Sequence, residues 1–260
     1  KYFKLLEKNK DAKLFWLVND HDLEDNILLR QALLKQGRSY DMICNNPREG
    51  YRHWILGKNI NGGKLNSFID NWNTINLNVL IFNRQEKKKL KRLFDLKREG
   101  VVYFGTFRKH RATDMLDYNG LDYVISTSKK NQSKYRAAGI EATFIEKLKW
   151  DIGDENLCNF KYSIYFEDTH THSNYAYMAN RYYECLMCGV LMFFDGRCVD
   201  TISKSKYHVP NYLIVNKGKD LAEKISRLNE DQSLYKQLLA EQESNFDAIE
   251  KEKQEVGEQF

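Results

Sequence analysis

The apolar residues of this chain form short continuous runs rather than long or alternating patterns. Most runs are rich in β-branched and aromatic residues, and they lie at 14–18, 40–44, 78–82, 101–104, 123–125, 142–145, 163–166, 190–194 and 212–215. Runs of this length without alternation are typical of strands that are buried on both faces of a parallel sheet. We therefore predict nine strands, most of them parallel.

Segments with helical spacing lie between these runs. Residues 24–36 carry an apolar stripe that stops at Gly37, and residues 128–138 stop at Gly139 in the same way. Residues 174–187 end just before Gly189, and the tail from residue 220 is helical with a break near Asn229. Glycine suits the left-handed position that follows a helix. The alternation of strands and helices predicts an α/β fold.

Composition excludes several classes of protein. With 260 residues, of which 42% are hydrophobic, the chain can fill one large or two small packed domains. The longest apolar run, 185–194, is about half the ~20 residues of a membrane-spanning helix, and residues 1–4 lack the apolar core of a signal peptide. Five cysteines without framework spacing fit a reducing compartment. We expect a cytoplasmic monomer without membrane association.

The charge of the chain is positive and unevenly distributed. The net charge is +5, residues 241–260 carry −5, and residues 1–240 therefore carry +10. Residues 84–100 hold eight basic and three acidic side chains, and they separate two halves that each contain predicted strands. A basic body favours an anionic partner such as nucleic acid or a nucleotide phosphate. A solvated, lysine-rich helix face explains the composition of this stretch equally well.

The segment 101–111 combines a buried strand with a basic turn. The run 101–104 leads into Gly105 and Thr106, and Arg108 and Arg111 follow. Gly105 lets a ligand approach the backbone, and a helix that begins just beyond offers free N–H groups to an anion. Two arginines at this place can bind a diphosphate through forked hydrogen bonds. The alternative is an ordinary basic surface turn.

A second segment carries an arginine and a carboxylate on one face of a helix. Arg181 and Glu184 are three residues apart, and the helix passes through Gly189 into the apolar run 190–194. A carboxylate can accept hydrogen bonds from both hydroxyls of a ribose, while an arginine one turn earlier reaches the phosphates. The alternative is an ion pair on the helix surface.

These two segments resemble known glycosyltransferases. The pattern Arg-x-x-Glu-x-x-x-x-Gly, followed by a buried strand and an acid, resembles the donor-site helix of GT-B glycosyltransferases. Gly-Thr-Phe-Arg-x-x-Arg resembles the diphosphate turn of the T-even phage DNA β-glucosyltransferase family, which has Gly-Ser-Phe-Arg and a second arginine four positions on rather than three. The resemblance covers residues 101–245. It implies that Arg108, Arg111 and Arg181 hold the donor diphosphate with Gly105 and Thr106, and that Glu184 holds the ribose.

The run 14–18 resembles the strand of that family that precedes the catalytic aspartate. Asp20 takes the place of this aspartate, and Asp22 is the reserve candidate. The resemblance implies that Asp20 deprotonates the acceptor hydroxyl in an inverting transfer. A helix N-cap is the alternative role for Asp20.

The metal-ligating residue types suggest no metal site. Cys185 and Cys188 lie within one predicted helix without a second pair, which favours structural cysteines over zinc. Asp168, His170 and His172 lie near one another but lack a clear further ligand.

The resemblance implies two Rossmann-like α/β domains of the GT-B type, the first incomplete at its N-terminus. We divide the chain into a partial acceptor domain (1–85), a basic linker (86–100), a nucleotide-sugar domain (101–230) and a helical tail (231–260). The expected reaction moves a hexose, with inversion, from UDP-glucose to a hydroxymethylated pyrimidine of phage DNA, in the host cytoplasm if a phage encodes the chain. Lys87, Lys88 and Lys89 are the candidate DNA contacts. We expect no tightly bound cofactor, although a divalent metal can stimulate such transfers.

Two alternatives remain. The first is a GT-B enzyme with the same donor site that acts on a cell-surface glycan or a protein. The second is a nucleic-acid-binding module without catalytic activity, which the positive charge alone suggests.

Overall fold

The computed structural model describes residues 98–148, 157–167 and 178–258, together with residues 8–9, 15–18, 41–44, 73–74, 79 and 82. By its internal contacts the chain divides into two compact units, Lys1–Asn76 and Leu77–Phe260. The finer division into four segments stays a prediction. Elements are numbered below in chain order among the described residues.

The first unit contains a small parallel sheet. Its strands are β1 (Phe15–Val18), β2 (Asp41–Cys44) and β3 (Asn73–Thr74), in that order across the sheet. The predicted strands at 14–18 and 40–44 are confirmed. Asp20, Asp22 and the predicted helix 24–36 lie outside the described residues.

The second unit is built on a larger parallel sheet. Its described strands are β4 (Glu99–Phe104), β5 (Val124–Ser126), β6 (Thr143–Ile145), β7 (Phe160–Tyr165), β8 (Leu191–Asp195) and β9 (Ile214–Val215). Their order across the sheet is β6-β5-β4-β7-β8-β9, and every pair is parallel. This is the 3-2-1-4-5-6 order of a doubly wound, Rossmann-type sheet. The predicted α/β class and the six strands from 101 onward are confirmed.

The continuous apolar runs reflect burial on both faces of this sheet. All five residues of β8 are buried, as are Val101, Val102 and Tyr103 of β4. Successive side chains of a strand point to opposite faces, so layers on both sides must cover these strands. The predicted strand at 78–82 is wrong at its two described residues, because Val79 lies in a helical turn and Phe82 in no regular element.

Helices connect and follow these strands. They are α1 (Lys109–Met115), α2 (Lys129–Ala137), α3 (Asn180–Cys188), α4 (Val199–Lys204), α5 (Gly218–Glu230), α6 (Gln232–Glu243) and α7 (Phe246–Gly257). Short 3₁₀ turns cover Leu116–Tyr118, Leu157–Asn159, Gly196–Cys198 and Asn211–Leu213. No helix among the described residues is long and apolar enough to cross a bilayer.

Glycine ends two of the helices as predicted. Gly139 follows α2 with φ of 81°, and Gly189 caps α3 with φ of 60°, a backbone conformation that favours glycine. The predicted helix over 174–187 is wrong at Met178 and Ala179, which precede the first helical residue, Asn180, and residues 174–177 lie outside the described residues. The N–H of Ala179 donates to the hydroxyl of Tyr165 at 2.8 Å, which holds the preceding backbone extended.

The helical tail is interrupted at two places. Asp231 caps α6 by accepting a hydrogen bond from the N–H of Leu234 at 2.9 Å, close to the predicted break near Asn229. The second break, between α6 and α7, was missed by the sequence pattern. There the buried amide of Asn245 accepts from the N–H of His208 and donates to its carbonyl oxygen, each at 2.8 Å. A tertiary contact therefore fixes this break.

Gln242 of α6 completes the hydrogen bonding at the start of β8. Strand β9 pairs only with Phe194 and Asp195, at the far end of β8. The buried Gln242 side chain accepts from the N–H of Met192 at 2.8 Å and donates to the carbonyl oxygen of Val190 at 2.9 Å. Its amide thus takes the place of a neighbouring strand.

We predict that Gln242→Met lowers the free energy of unfolding by about 2–5 kcal/mol, because two buried backbone groups lose their partner. Gln237→Met is the matched control, since Gln237 is exposed on the same helix and contacts Glu241. The control is expected to change stability by less than about 0.5 kcal/mol. Urea unfolding of both variants measures the difference. If the two variants have equal free energies of unfolding, the hydrogen bonds of Gln242 do not stabilise the start of β8.

Candidate functional site

The strand order of the second unit reverses between β4 and β7. In doubly wound sheets, neighbouring strands at such a point send their connections to opposite faces, which opens a crevice at the carboxyl ends. Gly105 and Thr106 directly follow β4, and Phe166 and Glu167 directly follow β7. Polar residues from both strands therefore meet at the edge where ligands bind in this architecture.

A cavity of about 190 Å³ lies at this edge. Its lining residues come from the ends of β4, β5 and β6, from the 3₁₀ turn before β7 and from α3: Phe104, Gly105, Thr106, Ser126, Thr127, Lys147, Leu148, Leu157 and Glu184. Gly105 and Thr106 of the first sequence motif thus share one cavity with Glu184 of the second. A larger cavity of about 930 Å³ lies at the amino ends of β4 and β7 and is lined by none of the predicted site residues.

The turn after β4 is closely packed around Gly105. A Cβ atom at this position would lie 2.8 Å from the hydroxyl of Tyr103 and 3.7 Å from Nη1 of Arg111. The carbonyl oxygen of Gly105 accepts a hydrogen bond from Thr127 Oγ1 at 2.8 Å. A larger residue at position 105 would therefore force the buried Tyr103 side chain to shift, and the hydrogen bond from Thr127 fixes the backbone of the turn against β5.

Two of the three predicted diphosphate arginines converge on one buried carboxylate. Glu167 is 4% exposed, and its Oε1 accepts from Nη2 of Arg111. Its Oε2 accepts from Nη1 of Arg181 at 2.9 Å. Hydrogen bonds from Arg111 to the Tyr103 hydroxyl, at 3.0 Å, and from Arg181 to the carbonyl oxygen of Phe166, at 2.8 Å, fix the two guanidinium groups further.

This cluster keeps Arg181 charged although it is buried. Burial alone lowers the pKa of an arginine, but the negative charge of the adjacent Glu167 carboxylate raises the pKa of Arg181 above its ordinary value. The guanidinium carbon also lies 5.1 Å from the centre of the Tyr165 ring, within range of a cation–π contact. The cluster adjoins the cavity, because Nη1 of Arg111 also approaches the carbonyl oxygen of Thr106 at 3.5 Å.

Arg108 occupies a different position. It is exposed and is the N-cap residue of α1, with extended backbone angles, and its carbonyl oxygen accepts from the N–H of Ala112 at 2.9 Å. The structure thus groups Arg111 and Arg181 around a buried acid and leaves the Arg108 side chain at the surface of the same turn.

Glu184 lies one helical turn from Arg181 but in a different environment. It is half-buried and lines the cavity, whereas Arg181 pairs with Glu167, so a simple surface ion pair does not describe the two residues. Burial raises the pKa of Glu184 from 4.5 to about 7, and Arg181 opposes this shift. The folded protein holds this proton more tightly than the unfolded chain, so folding stability falls as the pH rises from 4.5 through about 7.

Sequence reasoning missed Glu167 and Lys147. The available signal for Glu167 was an acid that directly follows the apolar run 163–166, at the carboxyl end of a predicted parallel strand. Lys147 follows the run 142–145 in the same way.

The described residues contain no cluster of three or more side chains that could hold a metal ion. Cys185 and Cys188 are buried free thiols. Asp168, His170 and His172 lie outside the described residues, as do Lys87, Lys88 and Lys89.

No protein-family model and no curated protein sequence matches this chain. Solved structures do match. T4 phage β-glucosyltransferase in complex with its UDP-glucose substrate aligns with a TM-score of 0.53 and 15% identity, over 96% of this chain and 72% of that chain. A second structure, described as the DNA-modifying enzyme β-glucosyltransferase, gives 0.52 and 14%, over 93% and 71%. The same phage enzyme is also known with UDP and Mn²⁺.

HepE of Anabaena in complex with UDP aligns with a TM-score of 0.52 and 12% identity, over 98% of this chain and 80% of that chain. At these identities the likeness concerns the fold. The expected resemblance is confirmed at that level: this chain has the GT-B fold of the T4 phage β-glucosyltransferase.

Proposed function

We propose that this chain is a glucosyltransferase that uses UDP-glucose as its donor. The observation that carries the proposal is the cavity at the carboxyl edge of the sheet, where Gly105, Thr106 and Glu184 meet beside the Arg111–Glu167–Arg181 cluster. The fold supports it, since phage β-glucosyltransferase and HepE with this architecture are known in complex with UDP-glucose or UDP.

The proposed donor site divides the nucleotide between two kinds of group. The Glu184 carboxylate accepts hydrogen bonds from the ribose hydroxyls inside the cavity. Arg108, Arg111 and Arg181 hold the diphosphate, and their positive charge stabilises the negative charge that develops on the leaving UDP. This electrostatic role needs no tightly held metal, although a divalent cation such as the Mn²⁺ of the phage enzyme complex can assist the same step.

The proposed acceptor is a hydroxymethylated pyrimidine in duplex DNA, and the transfer inverts the anomeric carbon. Asp20 is the proposed general base, and it lies two residues beyond the carboxyl end of the parallel strand β1. The charge of +10 on residues 1–240 supports a polyanionic acceptor. A base inside a duplex must leave the stack before it reacts, which costs a few kcal/mol that phosphate contacts can offset.

The first prediction concerns the diphosphate. Arg108→Ala is expected to weaken binding of UDP by about 1–2 kcal/mol and to leave the affinity for uridine unchanged, because only UDP carries phosphates. Arg108 is exposed, so this variant removes a cation without leaving a buried charge. Arg227→Ala, which removes an exposed cation from α5, is the matched control. Calorimetry with UDP and with uridine measures both affinities. Equal losses of affinity for the two ligands would contradict a role of Arg108 in binding the diphosphate.

The second prediction concerns Glu184. Its ionised form is the better hydrogen-bond acceptor, so uridine affinity should rise roughly fivefold between pH 6 and pH 8, as the carboxyl with a pKa of about 7 loses its proton. Glu184→Gln should bind uridine about 1–3 kcal/mol more weakly at pH 8 and show a flat pH profile. A sloping profile in this variant would assign the titration to another group.

The third prediction concerns the acceptor. Radiolabelled UDP-glucose is expected to label a hydroxymethylated duplex and not an unmodified one, and Asp20→Ala should lower the turnover by roughly 10²–10⁴ while UDP binding persists.

Duplex binding should weaken with salt by a log–log slope of about −0.9 per phosphate contacted. Replacing Lys87, Lys88 and Lys89 together should flatten this slope.

Label on a glycan or protein instead of either duplex would refute the DNA acceptor and favour the first alternative function. Absence of both UDP binding and transfer, with duplex binding retained, would favour the nucleic-acid-binding module.

A further inference from the structure

Glu167 determines the net charge of the arginine cluster. Its two carboxylate oxygens are divided between Arg111 and Arg181, and all three side chains are buried or nearly so, with side-chain exposures of 3%, 7% and 11%. Among the described residues, two guanidinium groups and one carboxylate leave a charge of +1 in this cluster, whereas the arginines alone would carry +2. Buried charges are screened less by water and salt than exposed ones, so this difference in charge is felt by a phosphate bound beside the cluster.

The donor and the product of the proposed reaction differ in charge. The diphosphate of UDP-glucose is esterified at both ends and carries two negative charges. Release of the sugar converts the outer phosphate into a monoester, whose second ionisation lies near pH ~6. At pH 8 the product UDP therefore carries one more negative charge than the donor, and a more positive site would favour the product.

We propose that Glu167 is a positioning residue that holds Arg111 and Arg181 in place and, by cancelling one of their charges, limits the preference of the donor site for UDP over UDP-glucose. This inference rests on the proposed donor site. It assigns to Glu167 a part in product release, because an enzyme that bound UDP more tightly than its donor would be inhibited by its own product.

The contacts around the cluster support both parts of this role. Arg111 is oriented by the Tyr103 hydroxyl at 3.0 Å and Arg181 by the carbonyl oxygen of Phe166 at 2.8 Å, so neutral groups direct each guanidinium as well. The pKa of Arg111 lies above its ordinary value, although burial and the positive charge of Arg181 both act to lower it, and the effect of Arg181 reflects the repulsion between the two cations. A neutral amide at position 167 could keep some of these hydrogen bonds but could not offset that repulsion. The carboxylate is thus needed for its charge as well as for its geometry.

The test compares Glu167→Gln with the unchanged chain by calorimetry, using UDP and UDP-glucose as ligands at pH 8. We expect the ratio of the UDP-glucose dissociation constant to the UDP dissociation constant to rise about tenfold in the variant, from one added unit charge near the outer phosphate. At pH 5 the two ligands carry nearly the same charge, so the variant should show little change in this ratio. Because Glu184 contacts the part that both ligands share, its titration cancels in the ratio.

Two controls separate charge from structure. Glu255→Gln makes the same change in net charge at an exposed residue of α7 that pairs with Lys206 at 3.3 Å, and it should leave the ratio unchanged. If Glu167→Gln does not fold, the single variant Arg111→Gln is compared with the double variant that carries Arg111→Gln and Glu167→Gln. These two proteins also differ by one unit of charge at position 167, but each buries one cation fewer than the unchanged chain. The same rise in the ratio is expected between these two.

An unchanged ratio at pH 8 in a folded Glu167 variant overturns the inference, as does an equal rise in Glu255→Gln. A rise of the same size at pH 5 also overturns it, because it cannot come from the extra charge of UDP. Failure of the unchanged chain to bind either nucleotide refutes the proposed function itself, which distinguishes the two.

Discussion

A parallel sheet that is covered on both faces can expose polar groups only at its ends, and this constraint organises the second unit. Every residue of β8 is buried, and Gln242 supplies an amide along the first part of β8, where β9 does not pair with it. The chemistry is therefore confined to the strand ends. Gly105 follows β4 and Glu167 follows β7, at the point where the strand order reverses, which is why residues far apart in the sequence meet there.

Burying two arginines beside that point creates a second constraint. Arg111 and Arg181 come from different helices, and like charges at such burial repel each other unless an acid lies between them. Glu167 satisfies this requirement from the end of β7. In the proposed donor site, the same residue would also set how much positive charge the diphosphate meets, so that one carboxylate would act on both stability and ligand preference.

Sequence alone predicted the features that depend on local patterns. The strands from 101 onward are continuous apolar runs, and Gly139 and Gly189 mark helix ends because a left-handed backbone is needed at those positions. The missed features depend on contacts between distant residues. The Tyr165 hydroxyl sets the start of α3, the Asn245 amide sets the break between α6 and α7, and the partners of Glu167 come from two other elements. No window of neighbouring residues contains this information.

The two acids of the site differ in their contacts. The Glu167 carboxylate accepts hydrogen bonds from two arginines, whereas the Glu184 carboxyl lines the cavity. Arg181 lies within one helical turn of Glu184, yet its guanidinium donates to Glu167. Glu184 therefore faces the cavity without that ion pair, and burial raises its pKa to about 7. A ligand that brings hydrogen-bond donors to such a carboxyl, as the hydroxyls of a ribose do, stabilises its ionised form. Glu167 already has its donors before any ligand binds, so it orients the arginines, while Glu184 lines the cavity where the nucleotide is proposed to bind.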